Sequence, residues 1–240
     1  MKKTLLLLFL VPFIGTAQLK DILKTATEKA AVLTKSNSGL DIAGGLREAL
    51  NKGVTEQVSK LTKVDGFYKN DAVKILMPEE LVKVDRAMRK IGMGNLADDG
   101  IKALNRAAED AVKEATPIFV SAIKNITIDD AKSILMGSDN AATTYLQTST
   151  TKPLYAKFSP VVQTSIGKVG ADFIWTSIIK KYNSLPFVSK VNPDITDYVT
   201  NKALEGVFKM ITIEEKNIRS NLNARTSVVL KKVFALQDMK

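Results

Sequence analysis

Apolar residues recur at helical spacing along almost the whole chain, and this pattern limits the fold more than any other feature. In "GLREALNKGVTEQVSKL" an apolar residue returns every three or four positions from Leu46 to Leu61. "DGIKALNRAAEDAVKEATPIFVSAI" repeats the pattern, with Pro117 where a helix should kink or break. Such spacing places apolar side chains on one face of a helix. It predicts an all-α fold, a bundle of about eight to ten helices.

One short segment departs from this pattern. In "AVKILMP" the apolar residues Val73, Ile75 and Met77 alternate, which is typical of an extended segment. The preceding "KVDGFYKND" has the composition of a loop. We therefore expect a short non-helical region between two helical parts of the chain.

The first residues, "MKKTLLLLFLVPFIGTA", have the form of a secretory signal peptide. Two lysines precede an apolar run, and the small residues Gly15 and Ala17 stand at the usual cleavage spacing. We expect a signal peptide at residues 1–17, a lead-in segment at 18–39 and a single all-helical domain at 40–240. An uncleaved anchor is the alternative, whereas acylation as a lipoprotein is excluded because the chain has no cysteine. The interpretation places the protein in the periplasm or outside the cell, with no transmembrane segment after cleavage.

The chain is basic, and the excess is uneven. It has 35 Lys and Arg against 25 Asp and Glu, and loss of Lys2 and Lys3 leaves 33 against 25, a net charge of +8. Residues 137–240 hold 14 basic and 8 acidic groups, so most of the surplus is C-terminal. In an exported protein such charge favours anionic lipid, lipopolysaccharide or an acidic glycan as partner over nucleic acid.

Two missing residue types narrow the chemistry. The chain has no cysteine, which excludes disulfides, thiolate nucleophiles and thiolate metal sites. It has no histidine, which removes the commonest general base, the serine, histidine and acid triad, and almost every zinc site. We expect no cofactor and no metal, and an enzyme would have to use carboxylates, lysine, tyrosine or a lone hydroxyl.

One phrase occurs twice, as "ITIDDAKSILMGSDNAATT" at residues 126–144 and "ITIEEKNIRSNLNARTS" at 211–227. Thr127 and Thr212 stand where helix N-caps should be, each followed by two acids that suit the first turn, and Thr212 with Glu215 has the pattern of a capping box. Further caps are available later in both copies, at Ser138 or Asp139 and at Asn221 or Asn223. The phrase predicts an internal duplication of a helical hairpin, although capping preferences alone could also produce the match.

Four pairs of adjacent acids invite a catalytic interpretation: Glu79 and Glu80, Asp98 and Asp99, Asp129 and Asp130, and Glu214 and Glu215. Neighbouring residues on a helix point about 100° apart, so adjacency does not make a catalytic dyad. We interpret all four pairs as acids at helix N-termini.

A polar cluster in "IKALNRAAEDAV" fits simple helix amphipathicity less well. Asn105 and Glu109 border the apolar stripe, whereas we expect Arg106 and Asp110 to pair on the outer face. Arg219 and Arg225 are candidate partners, because a guanidinium satisfies a carboxylate bidentately where water is scarce. We predict that Asn105, Glu109 and at least one of these arginines meet, as a buried salt-bridge network or as a ligand site.

Residues 152–190 combine lysines with aromatic residues around a single acid, Asp172. A basic and aromatic surface can bind anionic headgroups or glycans, and the candidate residues are Lys168, Trp175, Lys180 and Lys181. The alternative is a core helix, because Ile166, Val169, Phe173, Ile174, Ile178 and Tyr182 have the spacing of a buried face.

Five phrases in order, "GLREALNKGV", "NRAAEDAVKEATPIFVSAI", "DDAKSILMGSDNAATTYL", "DYVTNKALEGVF" and "IRSNLNARTSVVLKKVF", resemble the exported bacterial proteins grouped as domain of unknown function 4197. The similarity extends from about Leu40 to Phe234. It implies an all-helical, signal-bearing envelope protein with no assigned activity, and it adds no catalytic residue. Where relatives commonly have Asp-Gly, this chain has Glu205 and Gly206.

These observations predict an exported, non-enzymatic protein that binds an anionic or amphiphilic partner or serves as a structural interaction module. The alternative is a carboxylate-dependent hydrolase of cell-wall glycan that uses Glu109 as its acid. A groove around a desolvated Glu109 would favour the enzyme, and a closed network of arginine and glutamate would favour the module.

Overall fold

The computed structural model describes residues 41–77, 82–90, 92, 94–168 and 194–238, together with isolated positions between 176 and 192. Within these residues no strand occurs, and the all-α prediction is confirmed. The α-helices in chain order are α1 (Ile42–Leu61), α2 (Val82–Lys90), α3 (Gly94–Val112), α4 (Ala115–Lys124), α5 (Ile128–Met136), α6 (Ala141–Gly167), α7 (Ile195–Ser220) and α8 (Val228–Ala235).

The long helices α6 and α7 pack against each other, and α3 packs against both. Helix α1 packs against α4, α7 and α8, which completes the bundle. One continuous apolar core connects these elements, from Ala43 near the start of α1 to Phe234 in α8. Residues Ile42–Lys240 thus form one compact unit.

The break predicted near Pro117 is present, a few residues earlier in the chain. Helix α3 ends at Val112 and α4 begins at Ala115, so Pro117 lies in the first turn of α4. A proline is tolerated there because the N–H it lacks would have no partner in the helix.

The two copies of the repeated phrase have different structures. Thr127 caps α5: its side chain accepts from the N–H of Asp130, and the Asp130 carboxylate accepts from the N–H of Thr127, as a capping box requires. Thr212, in contrast, lies inside α7, where its hydroxyl donates to the carbonyl of Phe208 at 2.9 Å. The predicted cap at Thr212 is wrong because α7 already has a buried face before this point and continues through it. The predicted duplication is therefore not confirmed.

The prediction that paired acids open helices holds at one place. Asp129 and Asp130 lie in the first turn of α5. Asp98 and Asp99 lie beyond the first turn of α3, and Glu214 and Glu215 lie within α7, so the prediction is wrong for these pairs. Glu79 and Glu80 are outside the described residues.

The segment between α1 and α2 is a loop, as the composition of "KVDGFYKND" predicts. Residues 62–73 are mostly turns, and residues 74–77 are irregular and form no strand. Phe67, Val73 and Ile75 from this segment are buried in the core. The segment, residues 62–77, is called the anchored loop below because α3 holds it at two points.

Candidate functional site

Glu109 on α3 is fully engaged in binding the anchored loop. Its Oε1 accepts from the backbone N–H groups of Phe67 at 3.0 Å and Tyr68 at 3.3 Å, and its Oε2 accepts from Arg106 at 2.5 Å. Glu109 is only 3% exposed. Both carboxylate oxygens therefore have partners, and the carboxylate acts as an anchor for the loop.

Arg106 continues this network into the loop. Its guanidinium also pairs with Asp65, which has a second ion pair with Lys69 at 2.8 Å. The hydrogen bond from Lys69, and then that from Arg106, lowers the pKa of Asp65. The expected pairing of Arg106 with Asp110 is wrong, because Arg106 turns toward Glu109 and Asp110 pairs with Lys113 at 2.8 Å.

Asn105 binds the loop at a second point. Its Oδ1 accepts from the N–H of Ile75, and its Nδ2 donates to the carbonyl of Ile75, both at 2.8 Å. Nδ2 also donates to the carbonyl of Ile101 at 2.7 Å. The Asn105 side chain thus pairs with the backbone N–H and carbonyl of Ile75, as a neighbouring strand would in a sheet.

Arg219 and Arg225 belong to a different network, at the start of α6. Glu215 accepts from the backbone N–H groups of Ala142 at 2.9 Å and Thr143 at 2.8 Å, so a side chain of α7 caps α6. Arg219 donates to Glu215 at 2.8 Å. Because the predicted local caps at Ser138 and Asp139 are not used, this helix begins on a tertiary contact.

The two arginines extend this second network to other helix ends. Arg219 donates to the carbonyls of Ile134 at 2.7 Å and Leu135 at 3.1 Å, near the end of α5. Arg225 donates to the carbonyls of Ile218 and Arg219 and pairs with Asp238. Hydrogen bonding to Arg225 lowers the pKa of Asp238. The network therefore joins α5, α6, α7 and the C-terminal segment.

The four residues predicted to form one cluster are all buried, but they lie in two networks. Within the described residues no hydrogen bond or ion pair joins Asn105 or Glu109 to either arginine. The sequence reasoning missed Arg106 and Glu215 as the charged partners. Both signals were present, since Arg106 precedes Glu109 by three residues and Glu215 precedes Arg219 by four, the spacings at which helical side chains meet.

The predicted basic and aromatic surface is only partly within the described residues. Lys168 and Lys180 are exposed, whereas Trp175 and Lys181 are outside that part of the chain. Whether these side chains share one face stays a prediction.

A groove lies between the anchored loop and α7. It encloses about 540 Å³ and is lined by residues 72–77 of the loop and by Tyr198, Lys202, Glu205, Gly206 and Lys209 of α7. The Tyr198 hydroxyl donates to the carbonyl of Leu76 at 2.6 Å and ties the two walls together. We call this feature the lysine groove.

Gly206 allows the anchored loop to approach α7 closely. A Cβ at this position would come within 2.6 Å of the Phe67 ring. The missing side chain thus allows Phe67 to pack directly on α7, and Glu109 fixes the backbone of the same residue. The network around Glu109 therefore shapes one wall of the lysine groove.

The lysine groove combines positive charge with apolar surface. Its lining holds Lys74, Lys202 and Lys209 against one acid, Glu205, which pairs with Lys202 at 2.7 Å. Leu76 on the loop wall is 57% exposed. The lining therefore has an excess of two positive charges beside apolar surface, and the ammonium of Lys74 lies 4.5 Å from the centre of the Tyr68 ring.

The described residues contain no group of three or more acidic side chains placed to hold a metal ion. None of their helices has both the length and the apolar character that a bilayer crossing needs.

A family model described as "Protein of unknown function (DUF4197)" matches residues 36–235. No curated protein and no solved structure matches the chain.

Proposed function

Because the chain belongs to the DUF4197 family, whose description names no activity, we propose from its own geometry that it is a non-enzymatic binding module for an anionic amphiphile. The lysine groove is the binding site in this proposal. The observation that carries it is the excess of lysine over acid around an apolar loop wall. A molecule with an acidic head and a hydrocarbon tail would satisfy both halves of this surface.

The dimensions of the groove support a small ligand. A volume of about 540 Å³ is within the range of roughly 300–1,000 Å³ that small-molecule sites occupy. Its loop wall is held by two hydrogen bonds between Ile75 and Asn105, one in each direction, and by the hydrogen bond that Tyr198 donates to the carbonyl of Leu76. A preorganised wall favours binding because less conformational entropy is lost when the ligand arrives.

The hydrolase alternative receives less support. A general acid must donate its proton to the substrate, but both oxygens of Glu109 accept hydrogen bonds from Arg106 and from backbone N–H groups. Glu109 is also buried under the anchored loop, away from the groove lining. This closed arrangement is the one expected of a binding module.

In the proposed setting the protein is exported, with residues 1–17 removed. Anionic lipid and lipopolysaccharide both present acidic groups beside acyl chains, and the lysine groove would recognise that shared chemistry. The surplus of basic residues in the C-terminal half supports the same class of partner.

Calorimetric titration of the full chain with monomeric dodecyl phosphate tests the proposal. Dodecyltrimethylammonium has the same tail with the opposite charge and should bind much more weakly. Lys209→Glu should weaken dodecyl phosphate binding about tenfold or more, while Lys231→Glu makes the same charge change at an exposed position outside the groove and should have little effect.

The apolar half of the site has its own matched pair. Leu76 and Val228 are both exposed apolar residues, at 57% and 68%, but only Leu76 lines the groove. Leu76→Ser should weaken binding and Val228→Ser should not. The proposal is contradicted if the cationic detergent binds equally well, or if the two members of either pair have equal effects.

A further inference from the structure

A second groove, of about 560 Å³, lies between α4 and α6. One face of each helix forms a wall, because the lining residues return every three or four positions. We call it the α4/α6 groove, and its lining is Glu114, Pro117, Ile118, Ser121, Ala122 and Asn125 on the α4 side, with Tyr145, Ser149, Thr150, Pro153 and Lys157 on α6.

The two walls run in opposite directions. Ser165 near the end of α6 donates to Asp110 at 3.2 Å, so this end of α6 lies beside the end of α3, where α4 begins. At the other end, burial raises the pKa of Tyr145, and the charge of Asp130 at the start of α5 adds to the increase. The groove therefore has a charged end, lined by Glu114 and Lys157, and an end called neutral below because its own lining residues, Asn125 and Tyr145, are uncharged, although Asp130 lies nearby.

The polar side chains of the groove are available to a ligand. Those of Glu114, Ser121, Asn125, Tyr145 and Lys157 make no hydrogen bond or ion pair with any other described residue. They supply hydroxyl, amide, carboxylate and ammonium groups, so the groove can both donate and accept hydrogen bonds along its length.

Pro153 changes the backbone hydrogen bonding of the α6 wall. It lies inside α6 and has no backbone N–H, so the carbonyl of Ser149, four residues earlier, lacks its usual helical partner. The Ser149 hydroxyl donates its proton to the carbonyl of Tyr145 at 2.5 Å. The hydroxyl oxygen of Ser149 can therefore still accept a hydrogen bond. An apolar strip of Pro117, Ile118, Ala122 and Pro153 runs between these polar groups.

A hydrocarbon chain would leave the polar groups of this groove unpaired, and the lining has one acid, Glu114, and one lysine, Lys157, so it has no net charge to favour an ionic ligand. A glycan matches both features, because sugar rings carry hydroxyl groups at their edges and C–H groups on their faces. An N-acetyl group adds an amide for hydrogen bonding and a methyl group for the apolar strip. From Glu114 to Asn125 the α4 wall is about 16 Å long, which suits a short oligomer better than one sugar.

We propose that the α4/α6 groove binds a short glycan of N-acetylated sugars, with the rings lying along the strip between Pro117 and Pro153. The neutral end, with Asn125 and Tyr145, binds hydroxyl and amide groups. This site is separate from the lysine groove, and neither proposal depends on the other.

The test is titration of the full, isotopically labelled chain with tri-N-acetylchitotriose, followed by NMR and calorimetry. Backbone signals of Asn125, Tyr145 and Ser149 should shift. Maltotriose, which has three rings and no N-acetyl group, should bind about tenfold more weakly or worse. Tyr145→Phe removes only the hydroxyl and should weaken chitotriose binding about threefold to tenfold.

A matched pair on α6 localises the binding. Ser149→Met fills the groove without adding a ring or a strong hydrogen-bonding group, and should reduce affinity about tenfold or more. Thr148→Met makes a similar change at the neighbouring exposed residue, which does not line the groove, and should leave affinity unchanged. Thermal unfolding of both variants checks their fold, and Tyr145→Phe tests the site if Ser149→Met is unfolded.

Several results would overturn the proposal. These are no binding of chitotriose at millimolar concentration, equal binding of maltotriose, unchanged affinity in both Ser149→Met and Tyr145→Phe, and an equal loss in Thr148→Met and Ser149→Met. Displacement of the sugar by a short acidic peptide that shifts the same signals would reassign the groove to peptides.

Discussion

The two buried networks of this bundle use the same residue types for different tasks. Around Glu109 a carboxylate holds a loop, and its cation, Arg106, keeps 31% of its side chain exposed. Around Glu215 a carboxylate caps a helix, and its cation, Arg219, has a side chain only 2% exposed. Water can solvate the Arg106 guanidinium in the first network. In the second network the charges of Glu215 and Arg219 are buried and have to balance each other. The difference predicts unequal costs when either network is broken.

The largest effect should follow from breaking the fully buried pair. Arg219→Met leaves the Glu215 carboxylate without its cation and removes the donors to the carbonyls of Ile134 and Leu135. We expect a loss of about 3–5 kcal/mol in the free energy of unfolding, measured by urea titration. Arg89→Met removes an arginine from exposed ion pairs and should cost much less than Arg219→Met, because exposed pairs are solvated and screened.

A double variant sharpens this result. Glu215→Leu combined with Arg219→Met removes both charges, so part of the loss seen in Arg219→Met should be recovered. If the double variant is much less stable than Arg219→Met, capping of α6 by Glu215 outweighs the burial of its charge. If Arg219→Met costs no more than Arg89→Met, the proposed difference between buried and exposed pairs is wrong.

Breaking the network around Glu109 should cost less. Glu109→Gln keeps the shape of the side chain but removes the charge that pairs with Arg106, and Arg106 can turn to water. We expect a loss of about 1–3 kcal/mol in the free energy of unfolding. Amide hydrogen exchange should become faster at Phe67 and Tyr68, whose N–H groups donate to Glu109. Glu56→Gln, at an exposed residue within α1, should change neither quantity. A loss as large as that of Arg219→Met would remove the contrast between the networks.

Two ways of capping a helix give the third test. Helix α5 is capped locally by Thr127, whereas α6 is capped across the fold by Glu215. Thr127→Ala should lower the free energy of unfolding by about 1 kcal/mol. Thr212→Ala removes the same hydroxyl from the matching position of the repeated phrase, inside α7, and should cost clearly less. Equal losses in urea titrations of the two variants would contradict this assignment.

These contrasts show which features could be predicted from the sequence. The helical class follows from apolar spacing, and the cap at Thr127 and the break before Pro117 follow from local rules that depend on a few adjacent residues. The cap of α6 could not be predicted in this way, because Glu215 reaches it from 73 residues away. The cap predicted at Thr212 was wrong for a related reason. Thr212 has the same local capping pattern as Thr127, but packing of α7 against the core keeps this part of the chain helical.

The site residues divide in the same way. The positions of Asn105 and Glu109 beside an apolar stripe predicted that both are buried, as observed. Their partners could not be chosen from the sequence, because an arginine anywhere in the chain is chemically suitable. Neither groove was predicted, because each needs two separated segments: residues 72–77 meet α7 in one, and α4 meets α6 in the other.

The smallest expected effect concerns pH and compares the exposed edges of the two networks. Hydrogen bonding to Lys69 and Arg106 lowers the pKa of Asp65, and hydrogen bonding to Arg225 lowers that of Asp238. In the unfolded chain each carboxyl should have an ordinary pKa of about 3.9, so on acidification the unfolded state takes up the proton first. Each ion pair therefore stabilises the fold at neutral pH, and the contribution is lost as pH falls below about 4 through the folded-state pKa.

Urea unfolding of Asp65→Asn and Asp238→Asn at pH 7 and pH 3 measures this contribution. Each variant should be less stable than the parent at pH 7, and the difference should shrink at pH 3, where the parent carboxyl is itself becoming protonated. Both effects should decrease in about 0.5 M salt, because both carboxylates keep some contact with solvent. A difference that is the same at both pH values would show that the asparagine acts through lost packing. A larger difference at pH 3 would reverse the sign and contradict the lowered pKa at that residue.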